Sequence, residues 1–483
     1  MKVKNIFFCG FEEDTYLRSV QKKFIALDCY KNKYFSFHSK LLKKKNSNIN
    51  HISTKNFWFK NLKKKKLNYI NHEIYFKISS LEKKMVELMV DRVNINLLSS
   101  WEKNIYINLL FSYWCNFFIK NKPSCIFFAS APHFPWDYVL YLIAKSKNIK
   151  VYIIERPRID NVLLIYSDIQ NIFKSSIISK VPQSVYFDKK IDLSKLRYSE
   201  LTKKSKETNK TKIKFSIKKL KYLKDVISSW LDPIWNKNFY LNLNILEFFI
   251  FRIRRIIIRN SLKNWIKKKA IDIHQIKKNS VIFFLQKRPE SSTVPQAGVY
   301  FDQITAIRKL SDLIPKNYQI IVKEHPINFS DHFYKPDVKL INFQKIDQYE
   351  IISKIPKVKF VDFDIDSNEL IKRSKLVVSL TASLNYDCLF MKKPSLSFSE
   401  TWYSYCKSSP NFSKKYDDTK KISELINIDD YKIEKDLKKF FKLFFQKAVY
   451  GPSTAKIFEK KNKKYQKDSI KNLSLVLWKL IKR

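Results

Sequence analysis

The stretch IFFASAPHFPWDYVLYLIAKSKNIKVYII, Ile126 to Ile154, decides the fold class. Ile126–Ala129 is a short run of apolar and aromatic residues, the composition of a buried strand. Asp137–Ser146 follows with helical spacing, and Val151–Ile154 is a second apolar run of strand length. Strand, helix and strand in so few residues make a βαβ unit, whose crossover helix forces the strands parallel and covers one sheet face.

Outward from this unit the same grammar fills two separate regions. The first 190 residues alternate apolar strands with helical stretches. At Ser280 the alternation resumes, with strands at 281–285, 318–322, 376–380 and 395–398 and helical stretches at 302–313, 368–373 and 384–391. Between them the polar run LTKKSKETNK (Leu201–Lys210) and lysine-rich helical pieces change the character of the chain. The expected organisation is a domain over 1–190, a lysine-rich linker and helical segment over 191–270, a second domain over 271–420, and lysine-rich C-terminal helices over 421–483. Two α/β halves of similar grammar predict a two-lobed enzyme, two Rossmann-like domains with parallel sheets facing across a cleft.

The bulk numbers agree with a globular enzyme. The chain has 483 residues, 45% hydrophobic and 15% aromatic, which is too long for one core and too apolar for disorder. A net charge of +50 has two readings. One is an anionic partner such as nucleic acid, a membrane surface or a polyanionic substrate. The other is a coding bias that enriches Lys, Asn, Ile, Phe and Tyr together and leaves Gly and Ala scarce. Lys outnumbers Arg, whereas base and phosphate recognition favours the planar fork of Arg, and no nucleic-acid-binding motif accompanies the charge. The six cysteines, at 9, 29, 115, 125, 388 and 406, are far apart and flanked by apolar residues, the pattern of reduced buried thiols and of a cytoplasmic protein. The apolar stretch of the N-terminus is too short for a signal peptide, and no run of about 20 uncharged apolar residues predicts a membrane span. Leu246–Arg259, broken by four arginines, reads either as an interfacial helix on anionic lipid or as a basic packed helix.

The glycine count narrows the chemistry. Three glycines, at 10, 298 and 451, leave no room for G-x-G-x-x-G or a P-loop, both of which need glycine where backbone meets phosphate. A phosphate would have to be held by a helix N-terminus and hydroxyls. Lys375–Asp387 fits, passing from a strand through Ser379, Thr381 and Ser383 into a helix that carries Asp387. An ordinary helix cap needs one such hydroxyl; three make a candidate anion cradle. Tyr318–Val322 ends in Lys323-Glu324-His325-Pro326, placing Lys323 and His325 at a strand mouth where open sheets bind ligands; Glu324 reads as structural. Gln286 and Glu290 lie on the polar loop after strand 281–285. In the first domain His133 and Asp137 follow strand 126–129, and Glu155 with Arg156 follows strand 151–154.

Three segments in order, LQKRPESSTVPQAGVYFDQ (285–303), VKEHP (322–326) and LVVSLTASLNYDCLFMKKPSLSF (376–398), together with SAPHFPWDYVLYLIAKSKNIKVYIIE (130–155), resemble the capsular polysaccharide biosynthesis family, bacterial surface-carbohydrate proteins that include the capsule Kdo transferases. The resemblance spans about 126–170 and 281–400. It implies a GT-B glycosyltransferase with the donor nucleotide mainly in the second domain, the acceptor mainly in the first, and neither cofactor nor obligatory metal. On that pattern His325 meets the donor phosphate, Ser379, Thr381 and Ser383 assist, Asp387 holds the ribose, and Gln286 and Lys323 complete the donor side. The family's Gly, second Thr and Glu stand here as Ala382, Ser383 and Asp387.

Transfer also needs an acid or base at the acceptor, for which Asp137, Glu155, His133 and Glu290 are the candidates. The expected function is transfer from a nucleotide-sugar, a CMP-activated acidic sugar such as Kdo favoured, to a glycan or lipid-linked acceptor, in the cytoplasm and peripherally on the inner face of the membrane. The rival readings are a nucleotide-sugar 2-epimerase or polyol-phosphate transferase of similar fold, and a basic nucleic-acid-binding protein.

Overall fold

Asn5–Cys9 (β1) starts the first sheet with alternating faces. Phe8 packs among Phe11, Phe24 and Phe127 on one side, and Phe7 meets Trp114 and Phe117 edge-on from the other. A strand with aromatic contacts on both sides must lie inside a layered structure. The chain then turns at Gly10, whose φ of 79° is left-handed. A side chain there would bring a Cβ to 3.3 Å from Ala129 Cβ, so glycine suits the turn on both counts. Asp14 caps helix α1 (Thr15–Ala26), its carboxylate accepting from Leu17 N at 2.9 Å.

The first region continues through β2 (Lys33–His38), β3 (Ile49–Ser53), α2 (His72–Lys77), α3 (Ser80–Asn94), α4 (Ser100–Asn121), β4 (Cys125–Phe128), α5 (Pro135–Ser146), β5 (Lys150–Glu155) and β6 (Val162–Tyr166). The βαβ unit read from 126–154 is β4, α5 and β5, with β4 and β5 parallel and Phe128 opposite Ile153.

The second sheet comes next in the chain: α6 (Ile245–Lys269), β7 (Ala270–Ile271), β8 (Ser280–Phe284), α7 (Gln303–Leu313), β9 (Gln319–Lys323), α8 (Ile346–Ser353), β10 (Val358–Val361), α9 (Ser367–Arg373), β11 (Leu376–Ser379), α10 (Leu384–Phe390), β12 (Ser395–Ser397) and α11 (Thr419–Ile426). Its strands also alternate between two cores. Val281, Phe283, Ile320, Val322 and Val378 belong to one cluster, while Ile282, Phe284, Ile321 and Val377 belong to the other. This explains why they read as continuous apolar runs. The chain closes with α12 (Asp430–Lys447), β13 (Val449–Tyr450), α13 (Ala455–Lys460) and α14 (Lys463–Ile481).

The computed structural model describes residues 4–27, 32–38, 49–53, 57, 62, 64–65, 72–94, 99–179, 182, 245–286, 293–329, 346–412 and 414–482. The chain divides into two units, Met1–Val90 with Leu98–Leu196 and Phe441–Arg483, and Asp91–Leu97 with Arg197–Phe440. The sheet of the first runs β13-β6-β5-β4-β1-β2-β3 and that of the second β12-β11-β8-β9-β10-β7. Counted from β1, and separately from β8, both contain the Rossmann order 3-2-1-4-5. Every described pairing of the second sheet is parallel. The first adds β6 antiparallel to β5 and β13 antiparallel to β6.

The helical block set apart at 421–483 is shared between the units. Ile422, Leu425 and Ile426 enter the core of the second, whereas Leu473, Val476, Leu477, Trp478, Leu480 and Ile481 of α14 pack with Ile6, Phe8 and Phe127 of the first. Of the lysine-rich segment at 191–270, residues 191–244 lie outside the described ones. Cys9, Cys115, Cys125, Cys388 and Cys406 are buried free thiols; Cys29 lies outside the described residues.

Candidate functional site

Strand order creates a switch point in the second unit. From β8 the sheet grows through β9 and β10 on one side and through β11 and β12 on the other. The loops leaving β8 and β11 therefore diverge beyond the carboxyl ends of the strands, where open α/β sheets take ligands.

Gln286 and Thr381 occupy those two strand ends and hold each other. Gln286 Oε1 accepts from Thr381 N at 2.7 Å, and Gln286 Nε2 lies 3.1 Å from Thr381 Oγ1. Gln286 is itself fixed by buried Gln303, the first residue of α7, which accepts from Gln286 N at 2.8 Å and donates to Gln286 O at 3.2 Å. The turn beyond β11 is shaped from beneath. Fully buried Ser379 accepts from Ala382 N at 3.0 Å, and Tyr403 OH donates to Ala382 O at 2.6 Å. Thr381, Ala382 and Ser383 stay half-buried at the rim. Ser383 stands at the N-cap of α10 and makes no capping hydrogen bond with its side chain. Asp387, in the first turn of α10, is 2% exposed. Burial, then the charge of Asp387, pushes the Tyr386 hydroxyl and the Cys388 thiol well up.

The strand mouth at 323–326 separates its ionisable groups. Lys323 is buried and donates from Nζ to Phe363 O at 3.0 Å. Burial pulls its pKa down to about 8 against the opposing charges of Glu324, Asp364, Asp366 and Asp362. Its ammonium thus holds the loop after β10. Glu324 is also buried. Its carboxylate accepts from His325 N at 2.7 Å and Asn328 Nδ2 at 2.8 Å, and from Tyr349 OH. Glu324 is the structural member of the motif. His325 and Pro326 are exposed. Glu290 lies outside the described residues.

The first unit has its own switch point, between β1 and β4, where Gly10 and Ala129 approach each other. Asp137 Oδ1 accepts from Phe134 N at 2.7 Å, so this carboxylate holds the start of α5. His133 Nδ1 lies 2.7 Å from Ala131 O. A carbonyl can only accept, so Nδ1 carries the hydrogen, and in the neutral ring Nε2 is the basic nitrogen. Glu155 ends β5, half-buried, with Tyr166 OH donating to Oε2 at 3.5 Å. Burial pushes its pKa up to about 7, against the lowering effects of Tyr166 and Arg156. Beside it Arg156 pairs with Asp14 at 2.7 Å. His133, Asp137 and Glu155 therefore gather at adjacent strand ends of one unit, and Gln286, His325, Ser379, Thr381 and Ser383 at those of the other. Among the described residues no group of three or more His, Cys, Asp or Glu is placed to hold a metal ion.

Sequence reasoning does not single out Gln303, Tyr349 or Tyr403. Each acts through hydrogen bonds to a strand-end segment 17 or more positions away in the chain, a pairing that local sequence does not reveal.

No protein-family model matches the chain, and no curated protein sequence matches it. Among solved structures the chain is similar to a glycosyltransferase from Rickettsia africae ESF-5, at 13% identity over 98% of this chain and 100% of that one, with a TM-score of 0.27. It is similar to the Thermosulfurimonas dismutans β-Kdo 2,7 transferase KpsC at 12% identity over 70% and 82%, TM-score 0.26. It is also similar to the UDP-GlcNAc 2-epimerase from Neisseria meningitidis bound to UDP-GlcNAc, at 11% identity over 98% and 99%, TM-score 0.24.

Proposed function

We propose that the chain is a glycosyltransferase of surface-polysaccharide synthesis, moving a sugar from a nucleotide-sugar, a CMP-activated acidic sugar favoured, to a glycan or glycolipid acceptor. The observation that carries this reading is the Gln286–Thr381 pair at the switch point of the second sheet, in the same strand-end row as exposed His325. The three ordered motifs at 285–303, 322–326 and 376–398 supply the family resemblance.

Leaving of a nucleotide needs its phosphate stabilised as negative charge develops. In this reading His325, Thr381 and Ser383 touch that phosphate. Gln286 orients Thr381, Ser379 shapes the turn, and Lys323 holds the neighbouring loop. Asp387, by resemblance, takes the ribose. On the acceptor side Glu155 is the base: a carboxyl titrating near neutrality matches the proton it must remove better than an ordinary one. His133 is its alternate, and Asp137 keeps α5 in place.

The test is turnover with a panel of CMP- and UDP-sugars and glycan or glycolipid acceptors. His325→Ala should lower transfer on the order of 100-fold with the fold intact, as loss of a charge-stabilising donor does. Unchanged turnover would refute the donor-site assignment. Epimerisation of a nucleotide-sugar without acceptor would replace transfer by the epimerase reading.

A further inference from the structure

The turn between β11 and α10 is tied down at both ends of a single residue. Ala382 N donates to Ser379 Oγ at 3.0 Å, and Ala382 O accepts from Tyr403 OH at 2.6 Å. Tyr403 lies in the loop after β12, buried, its ring against that of Tyr386. Burial pushes its hydroxyl up, so the hydrogen stays on the oxygen. A phenol has one hydrogen, and here it goes to Ala382 O. At 3.3 Å from Ser397 Oγ the Tyr403 oxygen therefore accepts. Ser397 Oγ in turn accepts from Asn385 Nδ2 at 3.0 Å. That carboxamide is oriented by Leu396 O, which can only accept and lies 2.9 Å from the same nitrogen. The Asn385 N–H, Ser397 O–H and Tyr403 O–H all point one way, a buried chain that ends on the turn.

We infer that Tyr403 is a positioning residue of the donor site: through Ala382 O it sets where the neighbouring Thr381 and Ser383 hydroxyls stand. The inference rests on the donor-site reading above. The N–H of Ala382 belongs to the peptide plane it shares with Thr381, and its C=O to the plane it shares with Ser383, so holding both fixes both planes. Thr381 N is itself held by Gln286 Oε1 at 2.7 Å. Gln286, Ser379 and Tyr403 thus each hold one backbone group of the turn, and Tyr403 holds the one nearest Ser383. Hydrogen bonds aligned head to tail strengthen one another, and a turn ordered in advance binds without the cost of ordering on contact. Tyr403 acts from beneath the turn and touches no donor atom.

Calorimetric titration of the full chain with CMP and UDP tests it, below the melting temperature of every variant. Tyr403→Phe keeps the ring and removes one hydroxyl; nucleotide affinity should fall about 5-fold, the worth of about one hydrogen bond. Donor KM should rise with it while acceptor KM holds. Ser397→Ala leaves the last bond of the chain in place and should lose only about twofold. Ser379→Ala frees the same residue from its other end. The double variant Ser379→Ala, Tyr403→Phe should therefore stay well short of the product of two such losses, about 25-fold. Tyr16→Phe removes a buried tyrosine bond in the other unit, 3.1 Å to Ser469 O; it should lower melting comparably and leave nucleotide affinity within about twofold. Wild-type affinity in Tyr403→Phe, an equal loss in Tyr16→Phe, a greater loss in Ser397→Ala, or the full product in the double variant each overturns the positioning role while the donor site stands. A wild type that binds neither nucleotide removes the donor site and this inference with it.

Discussion

Gln286 and Thr381, 95 positions apart, form a closed pair: one carboxamide accepts from the Thr381 backbone at 2.7 Å and lies 3.1 Å from its hydroxyl. A nearly buried amide that binds both groups of one residue sets where that hydroxyl points. Gln286→Ala should raise the donor KM about 10-fold with a smaller change in kcat, since an uncompensated N–H costs about 1–3 kcal/mol. Gln286→Glu should bind donor more weakly still, because it adds negative charge beside a phosphate. Steady-state kinetics with donor varied checks both, and wild-type donor affinity in the Glu variant would remove phosphate from this site.

Glu155 couples activity and stability with opposite signs. Its folded pKa, about 7, lies above the ordinary value of 4.5 because burial disfavours the charged form. As a base it works ionised, so kcat/KM should rise with pH through about 7, and Glu155→Gln should abolish that limb. Stability runs the other way. Between the two pKa values the folded state keeps a proton that the unfolded state has lost, so the contribution is fully present below about pH 4.5 and is lost as pH rises through 7. The span is on the order of 3 kcal/mol. Melting temperature measured from pH 5 to 8 should fall less in Glu155→Gln than in the wild type.

Glu324 should behave as a structural residue. Its carboxylate gathers His325 N, Asn328 Nδ2 and Tyr349 OH, and Glu324→Ala leaves these donors without their acceptor. A loss of about 3 kcal/mol is expected, against about 1–2 kcal/mol for Tyr349→Phe. Urea denaturation measures both. Because His325 N is among the donors, the Ala variant should also raise the donor KM.

Gly10→Ala forces an L side chain into φ 79° and a Cβ to 3.3 Å from Ala129 Cβ. The left-handed conformation alone costs about 1–2 kcal/mol. Thermal melting should drop accordingly, while donor affinity, a property of the other unit, should hold.

The sequence discloses the continuous apolar runs of β4, β5, β8, β9 and β11, because strands buried on both faces leave little place for polar residues within them. It also discloses the strand ends, where Lys323, His325 and the hydroxyls of 379–383 interrupt those runs. It leaves open which way each end residue turns, since alternation stops where the strand does: Lys323 and Glu324 go inward and His325 outward. Sheet order is equally silent. Strands β2 (KYFSFH) and β3 (INHIS) carry polar and charged residues that blur the pattern, whereas β6 (VLLIY) is an apolar run as clear as the others. Nothing in the amphipathic run of α14 says that it belongs with residues more than 440 positions earlier.

That return has a consequence for synthesis. The second unit ends at Phe440 and its chain is complete once that residue has been made. The first lacks Leu473, Val476, Leu477, Trp478, Leu480 and Ile481 until α14 emerges, about 40 residues after Phe440. On the ribosome the unit begun first should therefore be finished last, with the apolar faces of Phe8, Phe24 and Phe127 awaiting their cover throughout the making of the other. Such a nascent chain is a natural client for chaperones.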